Sequence, residues 1–212
     1  VIHNGINLKG YEPANHTPNP PVLGFFSRMC RDKGLDAVVD AFIALKKNNR
    51  IPNLKLRIGG GCGPGDELFV NELRDKLHAK ALLGDVDFHP NLSRLEKQEF
   101  MRSLSVLTVP AQFGESFGFY VIEAMAAGVP VVQPYCASFP ELIEITGGGI
   151  TYEPTDRETL TVTLEKFLHD LEKARQLGQV GRKAVHKKLS IGTMAKKVTG
   201  LFEEITSAKA SA

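Results

Sequence analysis

The stretch from Ser105 to Val132 reads SVLTVPAQFGESFGFYVIEAMAAGVPVV and contains a complete strand, loop, helix and strand. Residues 105–109 are rich in β-branched side chains, as is typical of a buried parallel strand. A helix predicted over 119–127 ends at Gly128, a residue that commonly stops helices. A second apolar run follows at 129–132. Two strands joined by a helix indicate a parallel α/β sheet.

The same alternation extends over the rest of the chain. Apolar runs predict further strands at 22–26, 54–58, 86–88 and 149–151, and helical spacing predicts helices over 35–45, 70–77, 93–103, 160–171, 172–188 and 191–206. We therefore predict an α/β fold with a Rossmann-like parallel sheet and helices on both faces. Ligands of such sheets bind beyond the carboxyl ends of the strands.

The composition excludes several classes of protein. The 212 residues are 42% hydrophobic and 24% charged, which excludes a disordered chain, a collagen and a coiled coil. A net charge of +2 gives no reason to expect a nucleic-acid partner. The three cysteines form no metal-spaced pair and no disulfide framework, and no apolar run approaches the ~20 residues that span a bilayer. We therefore expect a cytoplasmic protein.

The first part of the chain has a different character from the remainder. It starts at Val1 rather than Met, so the sequence is expected to be a piece of a longer protein or a processed form. Residues 12–21 contain four prolines and are predicted to form an irregular connection, with the compact part beginning near Pro21. The predicted organisation is a connection over 1–20, a Rossmann-like domain over 21–171 and C-terminal helices over 172–212.

A basic loop, SRMCRDKG over 27–34, follows the first predicted strand. Arg28 and Lys33 would lie where a strand ends and a helix begins, and a helix N-terminus favours anions. An Arg fork and a Lys charge at this place are suited to a diphosphate. A solvated basic turn explains this loop equally well when it is taken alone.

A glycine-rich stretch, GGGCGPG over 59–65, follows the second predicted strand. It has neither the G-x-G-x-x-G pattern of dinucleotide-binding folds nor the Lys-Ser/Thr that completes a P-loop. This argues against a dinucleotide-dependent oxidoreductase. We interpret the stretch as a flexible rim that contacts a phosphate or a sugar.

Two glutamates, Glu115 and Glu123, lie eight residues apart around the start of the predicted helix over 119–127. Ser116, Phe117 and Gly118 would present free backbone N–H groups to an anion there. A carboxylate at Glu115 could accept hydrogen bonds from sugar hydroxyls, and one at Glu123 suits a vicinal diol such as a ribose. The alternative is that Glu115 only partners the helix dipole and Glu123 is a surface residue.

The whole string ESFGFYVIEAMAAGVPVV over 115–132, with its Glu-x7-Glu spacing, resembles retaining glycosyltransferase family 4, whose members have the two-domain GT-B fold. Residues 4–7, NGIN, resemble the Asn-Gly-Val-Asp signature that opens the family's C-terminal domain. Residues 27–34 resemble its phosphate loop, and residues 140–143, PELI, resemble its Pro-Glu-Ile-Ile step. The resemblance covers roughly residues 1–170.

The resemblance implies the C-terminal, donor-binding half of a retaining hexosyltransferase-type enzyme that transfers a sugar from a nucleotide diphosphate sugar to an acceptor hydroxyl. It gives Glu115 the catalytic contact with the donor sugar. The implied donor-binding residues are Arg28 and Lys33 for the diphosphate, Ser116, Phe117 and Gly118 for phosphate and sugar, and Glu123 for the ribose. The alternative function is a nucleotide-sugar-binding module without transferase activity, and the intact set of charged residues argues against it.

The resemblance also implies cofactors and partners. No metal or cofactor is expected, and the six scattered histidines give no metal-ligand spacing. A UDP-sugar is the favoured donor and a GDP-sugar the alternative. Ala111, Phe139 and the triplet 89–91 depart from the family pattern and leave the base and sugar open. The acceptor site is expected on a missing N-terminal domain, so the chain alone is expected to be inactive in transfer.

The C-terminal part is locally basic. From Lys173 to Gly200 there are eight Lys or Arg residues and no acid. Such a run is commonly a set of solvated helix faces. The alternative is a surface that faces anionic lipid or an anionic acceptor, which would make the protein peripheral to the membrane.

Overall fold

The computed structural model of the chain describes residues 1–47, 49–51, 53–113 and 115–210. Its strands are β1 Val22–Phe26, β2 Lys55–Gly60, β3 Val86–Pro90, β4 Val106–Leu107, β5 Val131–Pro134 and β6 Gly149–Tyr152. Its helices are α1 Leu35–Lys47, α2 Glu67–His78, α3 Arg94–Arg102, α4 Phe119–Ala126, α5 Phe139–Thr146, α6 Arg157–His169, α7 Leu171–Lys188 and α8 Ile191–Ala210. Residues 211 and 212 of the predicted C-terminal helices lie outside the described residues.

The six strands form one sheet in the order β3-β2-β1-β4-β5-β6, and every pairing in it is parallel. Helix α1 contacts α2 and α6, whereas α4 contacts α3 and α7, and a contact between α6 and α7 joins these two helix groups. The predicted Rossmann-like α/β fold is confirmed. The chain reverses its winding direction between β1 and β4, and this switch point places a crevice at the carboxyl edge of the sheet.

The core follows the apolar pattern of the sequence. The central strands bury Leu23, Phe25 and Ile58 completely. Helix α1 turns the predicted apolar stripe inward, with Leu35, Val38, Val39, Phe42 and Leu45 all at 0% exposure. Burying such a side chain contributes about 1.5–3 kcal/mol of transfer free energy, so this stripe fixes the helix on the sheet.

The strands around the switch point differ from the prediction at their ends. β4 is two residues long rather than five, because the backbone N–H of Val109 donates to the Gln133 side chain instead of to a neighbouring strand. β5 starts later than expected because the N–H of Val129 donates to the carbonyl of Ala124 and so closes α4. Local hydrogen bonds of this kind leave no trace in the apolar pattern.

Two helices also differ from the prediction. Helix α5 was not predicted as a helix, since Phe139 and Leu142 alone are too few buried residues to define a helical period. Leu171 was assigned to the stripe of α6 but begins α7 instead. Asp170 separates the two helices, because its carboxylate accepts from the N–H of Lys173 and caps α7.

Residues that precede Pro21 already pack into the core of the fold. Ile6 and Tyr11 are buried in the core, and the backbone of Ile6 bonds to both Leu189 and Ile191. The N-terminal segment is therefore packed against the end of α7 and the start of α8. The three-part division of the chain stays a prediction.

Helix α7 lies close against the sheet layer through small residues. A Cβ atom at Gly178 would lie 2.1 Å from the carbonyl oxygen of Gly128, and one at Gly181 would lie 2.6 Å from the Cα atom of Gly148. No other residue type fits such contacts without displacing the helix. None of the described helices is both long enough and apolar enough to cross a membrane.

Asp85 connects α1, β2 and β3. Its carboxylate accepts from Lys46 Nζ at 2.7 Å and from Lys55 Nζ at 2.6 Å. These hydrogen bonds hold the pKa of Asp85 below its usual value. Because the folded-state pKa lies below the unfolded value of about 3.9, the stabilisation is present above that pH and is lost as the pH falls through the folded-state pKa.

We predict that Asp85→Asn lowers the free energy of unfolding by about 1–2 kcal/mol at neutral pH and by much less in strong acid. Urea denaturation at several pH values measures this difference. Asp87→Asn is the matched control, because Asp87 is 60% exposed and its contact with Arg57 is 3.4 Å long. An equal loss for Asp85→Asn at every pH would contradict the prediction.

Candidate functional site

A cleft of about 560 Å³ opens at the carboxyl edge of the sheet. The loops after β1 and β2 form one side, and α3 and the N-terminal half of α4 form the other. Its lining includes Ser27, Arg28, Gly60, Gly61, Asn91, Arg94, Lys97, Phe119, Tyr120 and Glu123. The cleft lies at the switch point, where open α/β sheets bind their ligands.

Arg28 is held in place by a carboxylate outside the predicted set. Arg28 Nε donates to both carboxylate oxygens of Asp66 at 3.1 Å, and a terminal nitrogen lies 3.0 Å from the same group. The hydrogen bonds from Arg28, and one from the N–H of Gly63, lower the pKa of Asp66. Arg28 is 65% exposed and Asp66 only 6%, so a buried anion orients an exposed cation at the cleft.

The glycine-rich stretch is shaped by contacts with the loop after β1. Gly60 has φ +125°, and a Cβ atom there would lie 1.9 Å from the carbonyl oxygen of Ser27. The Asn91 side chain accepts from the N–H of Cys62 and donates to its carbonyl. Gly60 and Gly61 line the cleft. The stretch is thus a rim of the cleft, but not the flexible one that the sequence predicts, because contacts with Ser27 and Asn91 fix its conformation.

Lys33 and Glu115 meet although 82 residues separate them. Lys33 Nζ lies 2.6 Å from Glu115 Oε1, and the hydroxyl of Tyr120 donates to the same oxygen at 3.2 Å. Burial, and then the charge of Glu115, raises the pKa of Tyr120 far above its usual value. Tyr120 is therefore a neutral donor at any physiological pH, and Glu115 is held between two donors.

Ser116, Phe117 and Gly118 lead directly into α4. Gly118 is the N-cap residue, no side chain caps this helix, and no acid stands in its first turn. The N–H of Val121 donates to the carbonyl of Gly118, so the first turn offers the N–H groups of Phe119 and Tyr120 to an external acceptor, and the helix dipole favours an anion there. The ring of Phe117 packs against that of Phe119 at a centroid distance of 5.2 Å.

Glu123 lies one turn into α4 and is 13% exposed. Lys97 Nζ lies 2.5 Å from Glu123 Oε1. Burial, followed by the nearby charge of Glu123, raises the pKa of Tyr11 above its usual value. Glu123 is therefore not a free surface residue but a largely buried carboxylate paired with a lysine.

The structure arranges the predicted residues in two adjoining groups. Arg28 and Glu123 line the cleft, whereas Lys33 and Glu115 pair with each other beside the start of α4. Tyr120 joins the groups, because it lines the cleft and donates to Glu115. Within the described part of the chain, no group of three His, Cys, Asp or Glu side chains is placed to hold a metal ion.

Three site residues were missed by sequence reasoning: Asp66, Lys97 and Tyr11. Asp66 had a local signal, since it follows a glycine-rich loop and lies four residues before the helix predicted over 70–77. Lys97 follows the capping box formed by Ser93 and Glu96, which places it in the first turn of a helix at the carboxyl edge. Tyr11 had no signal, because its partner lies 112 residues further along the chain.

An open parallel sheet with basic side chains in a cleft at its switch point is the arrangement of a doubly wound, ligand-binding α/β domain. Comparison with protein families makes this class more specific. The family model described as glycosyl transferases group 1 matches residues 11–184. The chain belongs to this family.

Individual relatives agree with this assignment. The lipopolysaccharide core biosynthesis mannosyltransferase LpsB of Rhizobium meliloti strain 1021 is 27% identical over 223 residues, which cover 97% of this chain and 60% of LpsB. The chain thus spans about 60% of the length of this relative.

Two solved structures share the fold. The C-terminal domain of the group 1 glycosyl transferase LpcC from Francisella tularensis has a TM-score of 0.75 and 23% identity, covering 88% of this chain and 100% of that one. Anabaena HepE, solved in complex with UDP and glucose, has a TM-score of 0.81 and 20% identity, covering 96% of this chain and 57% of that one. The sheet is thus that of the GT-B glycosyltransferases.

Proposed function

We propose that this chain is the donor-binding, C-terminal half of a retaining glycosyltransferase of family 4, which transfers a hexosyl unit from a nucleotide diphosphate sugar to an acceptor hydroxyl. One observation carries the proposal: Arg28, the Lys33–Glu115 pair and Glu123 all surround the uncapped N-terminus of α4 at the switch point. The HepE structure with UDP and glucose and the mannosyltransferase name of LpsB support the same class of reaction.

The diphosphate would lie against the first turn of α4, where Ser116, Phe117 and Gly118 offer main-chain groups. Arg28 and Lys33 would supply positive charge from the loop after β1. During transfer the bond between the anomeric carbon and the phosphate oxygen breaks, and its electron pair stays on the diphosphate. Fixed cations and a helix N-terminus stabilise that growing charge without reorganisation. No metal is required by this arrangement.

Glu115 would contact the donor sugar. Its carboxylate is 17% exposed and is held by Lys33 and Tyr120, so its position is fixed before the sugar arrives. A fixed carboxylate orients sugar hydroxyls, and it stabilises the positive charge that develops at the anomeric carbon. The acceptor oxygen then bonds to this carbon on the face that the diphosphate leaves, and the hydroxyl proton passes to the departing diphosphate oxygen.

Glu123 would bind the ribose, with a UDP-sugar favoured and a GDP-sugar as the alternative. In this proposal the acceptor site belongs to a preceding N-terminal domain, so the chain alone binds donor without turning it over. A nucleotide-sugar-binding module without transferase activity is the alternative. Transfer by the complete protein, assayed with UDP- and GDP-sugars, separates the two.

We predict that Lys33→Ala weakens the binding of UDP by roughly 10–100-fold and leaves uridine binding unchanged, because a charge-assisted hydrogen bond to phosphate is lost. Arg28→Ala should act in the same direction. Calorimetry with UDP and uridine measures both effects. Lys47→Ala is the control, since Lys47 is an exposed cation at the far end of α1. Equal losses for UDP and uridine would mean that Lys33 acts on the fold rather than on phosphate.

We predict different effects for the two glutamates. Glu123→Gln should weaken UDP binding by roughly tenfold or more, because a charged acceptor for the ribose is lost. Glu115→Gln should not weaken it, but should lower the transfer rate of the complete enzyme, as expected for an interaction made mainly in the transition state. If Glu115→Gln loses more UDP affinity than Glu123→Gln, the two assignments are reversed.

We also propose a peripheral contact with anionic membrane surfaces through α7 and α8. Lys183, Lys187 and Lys196 are exposed on these helices, and α8 exposes Phe202 and Ile205 as well. Basic residues beside an apolar stripe are typical of helices that lie on anionic lipid.

We predict that the chain cosediments with vesicles containing phosphatidylglycerol and not with phosphatidylcholine alone. Lys183→Gln combined with Lys187→Gln should reduce that binding by roughly 30-fold, since each basic residue near the surface contributes about 1 kcal/mol. Equal binding to both vesicles would contradict the charge-based contact.

A further inference from the structure

Lys97 makes the closest contact to the carboxylate proposed to bind the ribose. Its Nζ lies 2.5 Å from Glu123 Oε1. The two side chains are 24% and 13% exposed, and both line the cleft. Lys97 belongs neither to the donor-binding set implied by the family resemblance nor to any role assigned above.

We propose that Lys97 is a further donor-recognition residue, which holds Glu123 in place and donates a second hydrogen bond to a ribose hydroxyl. The inference rests on the proposed function, because it takes the ligand of the cleft to be a nucleotide. It adds a residue and a chemical basis for the selection of ribose over deoxyribose.

The ammonium group of Lys97 has hydrogen-bond donors that Glu123 does not use. It carries three N–H groups, and Glu123 is its sole hydrogen-bond partner within the described residues. A hydroxyl group is both a donor and an acceptor. A ribose hydroxyl in the cleft can therefore donate to Glu123 and accept from Lys97 at the same time. A deoxy position satisfies neither group.

The geometry around Lys97 is fixed on both sides. Helix α3 is anchored by a capping box, in which Ser93 and Glu96 satisfy each other's backbone N–H groups, and Lys97 follows directly. Glu123 is itself largely buried, at 13% exposed, and Tyr11 near it is 3% exposed. The capped helix and the buried carboxylate therefore set the position of the ammonium group before a ligand arrives.

The positive charge of Lys97 has a second effect, on the repulsion between Glu123 and the proposed diphosphate. Without it, Glu123 would present an unpaired and largely buried carboxylate close to the proposed diphosphate, and the two anions would repel each other. Arg94 also lines the cleft, but its guanidinium donates to the main-chain carbonyls of Asn7 and Lys9. Lys97 is thus the cation that neutralises Glu123.

Calorimetry with UDP, 2′-deoxy-UDP and 3′-deoxy-UDP tests the inference, with the GDP series used in the same way if the parent chain prefers guanine. Lys97→Met removes the charge and keeps the length of the side chain. It should weaken UDP binding by about tenfold or more and change the binding of one deoxy analogue much less, so that discrimination against this analogue shrinks. Lys97→Arg should restore part of the discrimination.

Lys76→Met is the matched control, because Lys76 also forms an ion pair, with Asp40, but outside the cleft. Circular dichroism and thermal unfolding of each variant show whether the fold is intact. Unchanged UDP affinity in Lys97→Met, or an equal loss for UDP and both deoxy analogues, would overturn the inference and leave the proposed function standing. A parent chain that binds neither UDP nor GDP would contradict the proposed function itself.

Discussion

The parallel pairing of β1 with both β2 and β4 is the constraint on which the site depends. It brings the carboxyl ends of three strands to one edge, so loops far apart in the chain share a single cleft. Lys33 therefore meets Glu115 and Arg28 meets Asp66, although long stretches of chain separate the partners. Antiparallel pairing of the same strands would send alternate loops to opposite edges.

A common electrostatic pattern runs through the cleft. Each cation that we propose to meet a diphosphate or a ribose is already paired with a carboxylate: Arg28 with Asp66, Lys33 with Glu115 and Lys97 with Glu123. Such pairs hold long side chains in defined positions and so lower the ordering cost of binding. They also require the ligand to share or replace an existing partner, which favours ligands that carry several charges over weakly polar ones.

Sequence reasoning predicted the features that depend on local periodicity and missed those that depend on distant partners. The apolar stripe of α1 and the order of the six strands followed from spacing alone, whereas α5 did not. The shortening of β4 did not, because it results from a hydrogen bond to the Gln133 side chain. Arg28 and Glu123 lay in recognisable strings, whereas Asp66 and Tyr11 act only through contacts that the folded chain creates.

The bridge between Ile6 and Ser190 has a mechanical consequence. Helix α8 has 20 residues and is therefore about 30 Å long. It begins one residue after this bridge, and Ile6 bonds to the chain on both sides of Ser190. Helix α8 is thus fixed to the rest of the fold at its N-terminal end. A rotation of α8 by roughly ten degrees about its N-terminal end would displace its C-terminal end by about 5 Å over that length. A small rotation at Ile6 therefore produces a much larger displacement at the end of the helix.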